Sequence, residues 1–116
     1  MSGQTRRTRP ATLSGGQAAV EALQAEGVRH VFGLIGSAAM EVFDGLYDAD
    51  DVAYVGVRDE RTGTHMADGY ARASGRAGVV LAGQNGPGAT NLVTGVAQAA
   101  VAFSPVVKNP QGKSSR

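Results

Sequence analysis

Apolar residues fall into short runs that alternate with helical stretches along most of the chain. Strands are predicted where β-branched and aromatic residues cluster, over residues 28–34, 51–57 and 77–83. Helices are predicted where apolar residues recur with the helical period, over residues 14–26, 36–48, 60–74 and about 89–103. The strands at 51–57 and 77–83 have the pattern of buried strands. This alternation with short links predicts an α/β fold, a parallel sheet with right-handed crossovers and helices on both faces.

Residues of capping type support several of the predicted helix boundaries. Ser14 is suited to cap the first helix and Gly27 to end it. Ser37 has the place of a cap for the second helix, and Gly75 ends the third. The third helix is expected to pack through a side of small and apolar residues, namely Met66, Ala67, Tyr70, Ala71 and Ala73.

The two ends of the chain lack this pattern. Residues 1–12 are polar and basic, and we expect a disordered tail there, with a transit peptide or an RNA-binding arm as weaker alternatives. Residues 104–108 begin like a fourth strand, but 108–116 turn basic and polar and form an atypical tail. The domain is therefore placed at residues 13–107. The abrupt tail suggests a truncated or frameshifted reading frame, or a deliberately shortened chain.

Composition narrows the class of protein without naming a reaction. Seventeen Gly, three Phe, three Tyr and no Trp among 116 residues favour tight turns and close helix-to-sheet packing. A formal charge of +1 gives no reason to expect nucleic acid as a partner. No apolar run is long enough for a membrane span, and cysteine is absent. We expect a cytoplasmic protein with no membrane partner.

Candidate chemistry gathers where predicted strands end. Glu60 follows the strand at 51–57, and the turn Gly86-Pro87-Gly88 follows the strand at 77–83. In parallel α/β folds ligands bind at the carboxyl ends of the strands, so Glu60 is the leading candidate for a catalytic residue. His30 is more simply a hydrogen-bonded structural residue than a metal ligand, because no second ligand stands at metal spacing beside it. No metal site is predicted, since the acidic turn at 48–51 lacks the pattern of a calcium loop.

Four motifs in order give the chain a family resemblance from residue 13 to about 107. They are GGQAAVEAL, GVRHVFGLIGSAAMEVFDGL, DERTGTHMADGYAR and GPGATNLVTG. With them the chain resembles the amino-terminal pyrimidine-binding (PYR) domain of thiamine-diphosphate-dependent enzymes of the acetolactate synthase type. The segments FGLIGSA and GQNGPG are further similar to sulfoacetaldehyde acetyltransferases. The resemblance implies 2-oxo acid lyase or acyltransferase chemistry.

The resemblance also assigns roles to individual residues. It implies that the Glu60 carboxyl group hydrogen-bonds N1′ of the cofactor's aminopyrimidine ring, while the cofactor carries out the chemistry. Other implied cofactor-binding residues lie on the turn after the first strand and on the turn and helix after the third, and they are Gly36, Ser37, Ala38, Gln84, Pro87 and Asn91. Two positions depart from many relatives, which have His where this chain has Asp59 and Pro where it has Ile35.

The resemblance further implies that the chain carries half of a cofactor site. Relatives hold the diphosphate and its Mg²⁺ on a second domain, through a Gly-Asp-Gly segment that does not occur here. The expected partners are therefore thiamine diphosphate and the diphosphate-binding (PP) domain of the full-length enzyme or of a partner subunit, in a homo-oligomer. By itself the chain would be inactive. Some relatives also bind a flavin (FAD) structurally, and for this chain the question stays open.

Two other hypotheses remain beside the enzyme fragment. One is a stand-alone binding or interaction module that kept the fold without the chemistry, with helices rich in Ala and Gly serving association. The other is an unrelated flavodoxin-like nucleotide binder, which would hold phosphate on the loops at Gly36 or Gly86 and would not bind thiamine diphosphate.

Overall fold

The structure is a computed structural model that describes residues 12–83 and 85–108. The two predicted tails fall almost entirely outside those residues. The helices are α1 (Gly15–Ala25), α2 (Met40–Tyr47), α3 (Glu60–Ser74), α4 (Pro87–Asn91) and α5 (Val93–Val101). The strands are β1 (His30–Gly33), β2 (Ala53–Gly56), β3 (Gly78–Leu81) and β4 (Val106–Lys108), and a 3₁₀ turn spans Ser37–Ala39. The described helices include none long and apolar enough to cross a bilayer.

The strands form one parallel sheet in the order β2-β1-β3-β4. Val31 of β1 pairs with Tyr54 of β2 on one side and with Val79 of β3 on the other. From β1 the chain first crosses to β2 and then returns past β1 to β3. The direction of strand addition therefore reverses between β1 and β3, which makes their carboxyl ends a topological switch point.

Side chains alternate between two cores, one on each face of the sheet. Because strand residues point to opposite faces in turn, Val31 joins one core and Phe32 the other. The first core contains α1 and α2 residues such as Val20 and Leu46, and the second contains Ala67 of α3 and Leu92 beside α5. The predicted α/β fold, with a parallel sheet covered by helices on both faces, is confirmed.

One strand prediction is wrong in its burial. The strand predicted over residues 51–57 has the pattern of a buried strand, but β2 is an edge strand of the sheet, and Ala53 and Gly56 are exposed. Its half-buried residues Tyr54 and Val55 pack on opposite cores. The sequence pattern did not separate an edge strand from a central one because both alternate in the same way. By contrast, every residue of β3 is buried, as predicted.

Two helix boundaries differ from the expectation. Ser37 does not cap α2, because the 3₁₀ turn intervenes and Ala39 stands at the cap position without a side-chain hydrogen bond. The last predicted helix is divided at Leu92, which keeps a helical backbone conformation between α4 and α5. Ser14 does cap α1, through a reciprocal pair of bonds with Gln17.

His30 is held in part by an aromatic contact. Its Nδ1 is buried without a hydrogen-bond partner among the described residues, so the predicted hydrogen bond of the ring is not made at that atom. The centroid of the ring lies 5.3 Å from that of Tyr70 on α3.

Helix α3 packs through a different set of residues from the one predicted, because Gly63, Thr64 and Asp68 are also buried. Ala67 and Ala71 are buried, but Met66 and Ala73 are exposed. Helix α5 crosses α3 closely enough that a Cβ on Gly95 would lie 2.5 Å from Cβ of Thr64. The small residues on both helices thus bring α3 against α5 and fix the first turn of α3, where Glu60 lies.

Candidate functional site

The candidate site lies at the edge of the sheet where β1, β2 and β3 end. Since the three strands are parallel, the loops that leave them, beginning at residues 34, 57 and 82, emerge on the same side. Such an edge is where α/β proteins build ligand sites, because loops and helix beginnings converge there.

Two glycines let the loops after β1 and β3 touch. A Cβ on Gly36 would lie 1.4 Å from the carbonyl oxygen of Gly83, and a Cβ on Gly83 would lie 2.6 Å from that of Leu34. No other residue fits at Gly36 unless the loops separate. The predicted site turn at Gly36 is thereby fixed against the loop that leads to α4.

Glu60 is the first residue of α3, and its side chain is buried at this edge. The residue is 4% exposed. Asp59 caps the helix by accepting a hydrogen bond from the Arg61 N–H at 2.8 Å, which sets where α3 begins. The hydroxyl of Thr64 donates to the Glu60 carbonyl at 2.8 Å and ties the first turn together. An acidic side chain at a helix N-terminus also interacts favourably with the helix dipole.

Helix α4 supplies the contacts of the Glu60 carboxyl group. Nδ2 of Asn91 donates to Oε2 of Glu60 at 3.1 Å. On the other side of the carboxyl group, a Cβ on Gly88 would stand only 3.1 Å from Oε1. The carboxyl group is therefore bounded by an amide donor on one oxygen and a bare backbone beside the other.

Asp59 and Arg61 form an exposed pair next to Glu60. Two nitrogens of the Arg61 guanidinium donate to the two oxygens of Asp59, at 3.0 Å and 2.8 Å. These bonds, with that from the Arg61 N–H, lower the pKa of Asp59 from 3.8 to about 2. Asp59 is thus already engaged as the cap of α3 and as an ion-pair partner.

Ser37 and Ala38 line a different space from the one beside Glu60. An open cavity of about 500 Å³ is bounded by the 3₁₀ turn, by Gly15 and Gly16 at the start of α1, and by Glu41 of α2. Neither Glu60 nor Asn91 lines it. The described residues also contain no cluster of three or more His, Cys, Asp and Glu that could hold a metal ion.

The predicted site residues are only partly brought together. Glu60 and Asn91 are in direct contact, whereas Pro87 is the exposed first residue of α4. Gly36 reaches the same edge through Gly83, and Gln84 lies outside the described residues. Sequence reasoning did not single out Gly83, and it named Gly88 only as part of the turn Gly86-Pro87-Gly88. The signal for Gly83 was a small residue directly after a buried strand, where two loops must approach each other.

Comparison with known proteins matches the chain to one family. Residues 13–108 match the model of the family described as "Thiamine pyrophosphate enzyme, N-terminal TPP binding domain". Over 95 residues the chain is 48% identical to the probable acetolactate synthase large subunit of Methanocaldococcus jannaschii, and 45% to the acetolactate synthase isozyme 3 large subunit of Escherichia coli. It is 44% identical to the acetolactate synthase large subunit of Buchnera aphidicola. Each match covers 82% of this chain and 16% of the relative.

Proposed function

Because the chain belongs to the family of thiamine pyrophosphate enzymes, as an N-terminal TPP-binding domain, we propose that it binds the aminopyrimidine end of thiamine diphosphate at the edge bearing Glu60. The chain spans about 16% of the length of the relatives named above. We propose that it contributes this half-site to acetolactate-synthase-type chemistry on 2-oxo acids. The observation that carries the proposal is the buried Glu60 carboxyl group held at the switch point of the sheet.

The residues present suit an aminopyrimidine ring. Glu60 offers a buried carboxyl group, and such a group can hydrogen-bond a ring nitrogen. Gly83 and Gly88 let the backbones of the site loops come close to each other and to the carboxyl group. When bound, thiamine diphosphate supplies the carbanion chemistry that no amino-acid side chain provides. The role of Glu60 is to orient the ring and to exchange a proton at N1′.

The other predicted binding residues have a less direct place in this proposal. We assign Gly36 to the loop contact that shapes the edge, and Ser37 and Ala38 to the wall of the neighbouring cavity. Pro87 begins α4, which carries Asn91. Gln84 remains assigned to the cofactor through the family resemblance alone.

The rest of the cofactor needs groups beyond those described. We propose that the diphosphate and its Mg²⁺ are held by the PP domain of a full-length enzyme or partner subunit, and that residues 13–107 form the complementary domain. Homo-oligomers are proposed on the same ground. Support comes from apolar side chains exposed on and just after α5, among them Val93, Val101 and Phe103.

Those exposed side chains also favour a second candidate function. A stand-alone interaction module would use the surface of α5 to associate with a full-length partner and would not need the cofactor. Co-purification of this chain with a longer relative, together with no measurable binding of thiamine diphosphate, would favour this second function.

Calorimetric titration of the full chain with thiamine diphosphate tests the first proposal. We expect saturable binding that Glu60→Gln weakens at least about tenfold, because a mispaired buried polar group costs about 1–3 kcal/mol. Glu26→Gln, at the exposed C-terminal end of α1, is the matched control and should bind as the wild type does. Equal affinity in wild type and Glu60→Gln would contradict the role of Glu60, and no binding to the wild type would remove the proposal for this chain.

A further inference from the structure

The side-chain contact between Asn91 and Glu60 joins two segments that lie 31 residues apart. Glu60 follows β2 and begins α3, whereas Asn91 ends α4 after β3. The bond therefore links the two helices that follow the second and third loops of the candidate site. Among the residues that the structure describes, Asn91 is the one whose side chain hydrogen-bonds the Glu60 carboxyl group.

The two oxygens of the Glu60 carboxyl group have different neighbours. The Asn91 amide donates to Oε2 and so removes one of the directions in which that oxygen could accept. Oε1 lies on the side of Gly88, where a Cβ would stand 3.1 Å from it, so a larger residue at this position would crowd the oxygen. A glutamate side chain has several rotatable bonds, so without the amide the carboxyl group could turn away from this arrangement.

Asn91 is itself held in place by the core. Its chain neighbour Leu92 is 2% exposed and belongs to the core beneath α3 and α5. The N–H of Thr90 donates to the Gly86 carbonyl at 2.9 Å and closes the turn of α4. The amide donor is thus carried by a short helix that the buried leucine anchors, which is the requirement for holding a second side chain in one orientation.

We infer that Asn91 is a positioning residue, which holds the Glu60 carboxyl group so that Oε1 meets N1′ of the aminopyrimidine ring. The inference rests on the proposed function of Glu60 and deepens it. Asn91 acts through Glu60 and not by touching the ring. Its effect on binding should therefore depend on the presence of the N1′ nitrogen in the ligand.

The test compares two ligands on the full chain and its variants. One ligand is thiamine diphosphate, and the other is its analogue in which N1′ is replaced by a C–H group. Asn91→Leu removes the donor at similar side-chain volume, and Thr90→Ala on the same helix is the matched control. We expect Asn91→Leu to weaken thiamine diphosphate binding about three- to tenfold, as for loss of one hydrogen bond, and to leave binding of the analogue unchanged.

Other outcomes separate this inference from the function on which it rests. If Asn91→Leu weakens the binding of both ligands equally, or of neither, the positioning role is overturned, even where Glu60→Gln confirms the role of Glu60. If Glu60→Gln binds thiamine diphosphate as tightly as the wild type does, or if the wild-type chain binds neither ligand, the proposed function and this inference are both overturned.

A measurement on the wild-type chain covers the case in which Asn91→Leu does not fold. The side-chain amide signals of Asn91 in a ¹⁵N-edited NMR spectrum should shift on addition of thiamine diphosphate and much less with the analogue. Signals that respond equally to both ligands, or to neither, contradict the inference.

Discussion

At the scale of single residues, Gly36 and Gly69 show how differently two glycines of one chain are constrained. A Cβ on Gly36 would meet the Gly83 carbonyl oxygen at 1.4 Å, while a Cβ on Gly69, within α3, would meet nothing within 4 Å. The first glycine is required by a close approach of two backbones. The second lowers helix stability without filling any structural need.

Substituting these two glycines should change stability in opposite directions. Gly36→Ala should lower the free energy of unfolding by about 1–3 kcal/mol or more, because the two site loops must separate. Gly69→Ala should raise it by about 0.5–1 kcal/mol, because alanine favours a helix interior. Urea unfolding followed by circular dichroism measures both. Equal effects of the two substitutions would show that the contact between Gly36 and Gly83 is not rigid.

At the scale of elements, an ion pair and a hydrogen bond fix the C-terminal half of α3. Arg72, one turn after Asp68, donates to both oxygens of that carboxylate, at 3.0 Å and 2.9 Å. The side chain of Ser104, on the segment between α5 and β4, also hydrogen-bonds Asp68. These bonds lower the pKa of Asp68 from its usual 3.8, with Arg72 as the larger cause. One carboxylate thus ties α3 to the chain entering β4.

The pH dependence of stability should report this tie. Because the folded state lowers the pKa of Asp68, the stabilisation is present above the ordinary pKa and is lost as pH falls through the folded-state value. Asp68→Asn should therefore flatten the fall in the free energy of unfolding as the pH drops below the ordinary aspartate pKa. Part of the fall should remain, because the pKa of Asp59 is also lowered, to about 2. Asp44→Asn, an exposed aspartate on α2, is the control. An unchanged slope in Asp68→Asn would contradict the assignment.

The order of elements could be predicted from sequence because each step depends on local chemistry. The periodicity gave the helix and strand order, and Ser14 and Gly75 marked helix ends as predicted. The sequence did not reveal that β2 lies at the sheet edge or that a 3₁₀ turn precedes α2. Both depend on which elements become neighbours, and that is decided by long-range packing.

The same distinction applies to the site. Glu60 could be singled out because one short segment, residues 51–60, contains both the strand pattern and the glutamate that follows it. Its bond to Asn91 spans 31 residues and required the two loops to be placed in space. The contact of Gly36 with Gly83 was hidden for the same reason. Motifs therefore identified the residues, whereas their mutual contacts came only from the fold.

At the scale of the whole molecule, four of the nine large apolar side chains exposed among the described residues lie on or after α5. Phe103 is 95% exposed and Val101 is 79% exposed, and Val93 and Val107 are exposed nearby in sequence. A groove of about 240 Å³ beside them is lined mainly by Ala and Val side chains of α4 and α5. Exposed apolar side chains concentrated in this way favour association. The central sheet, by contrast, is well covered on both faces around β1 and β3.

We expect this surface to drive self-association of the chain, and a single charged residue placed in it to weaken that association. We expect sedimentation velocity to show a mass that rises with protein concentration, and Phe103→Lys to shift the chain towards monomer, because a charge in an apolar contact is costly to bury. Tyr47→Lys removes another exposed aromatic residue, 81% exposed on α2, and should leave association unchanged. If Tyr47→Lys dissociates the chain as well as Phe103→Lys does, then general surface hydrophobicity, and not the surface of α5, drives association. A wild-type chain that stays monomeric at every concentration would remove the homo-oligomer proposal for these residues.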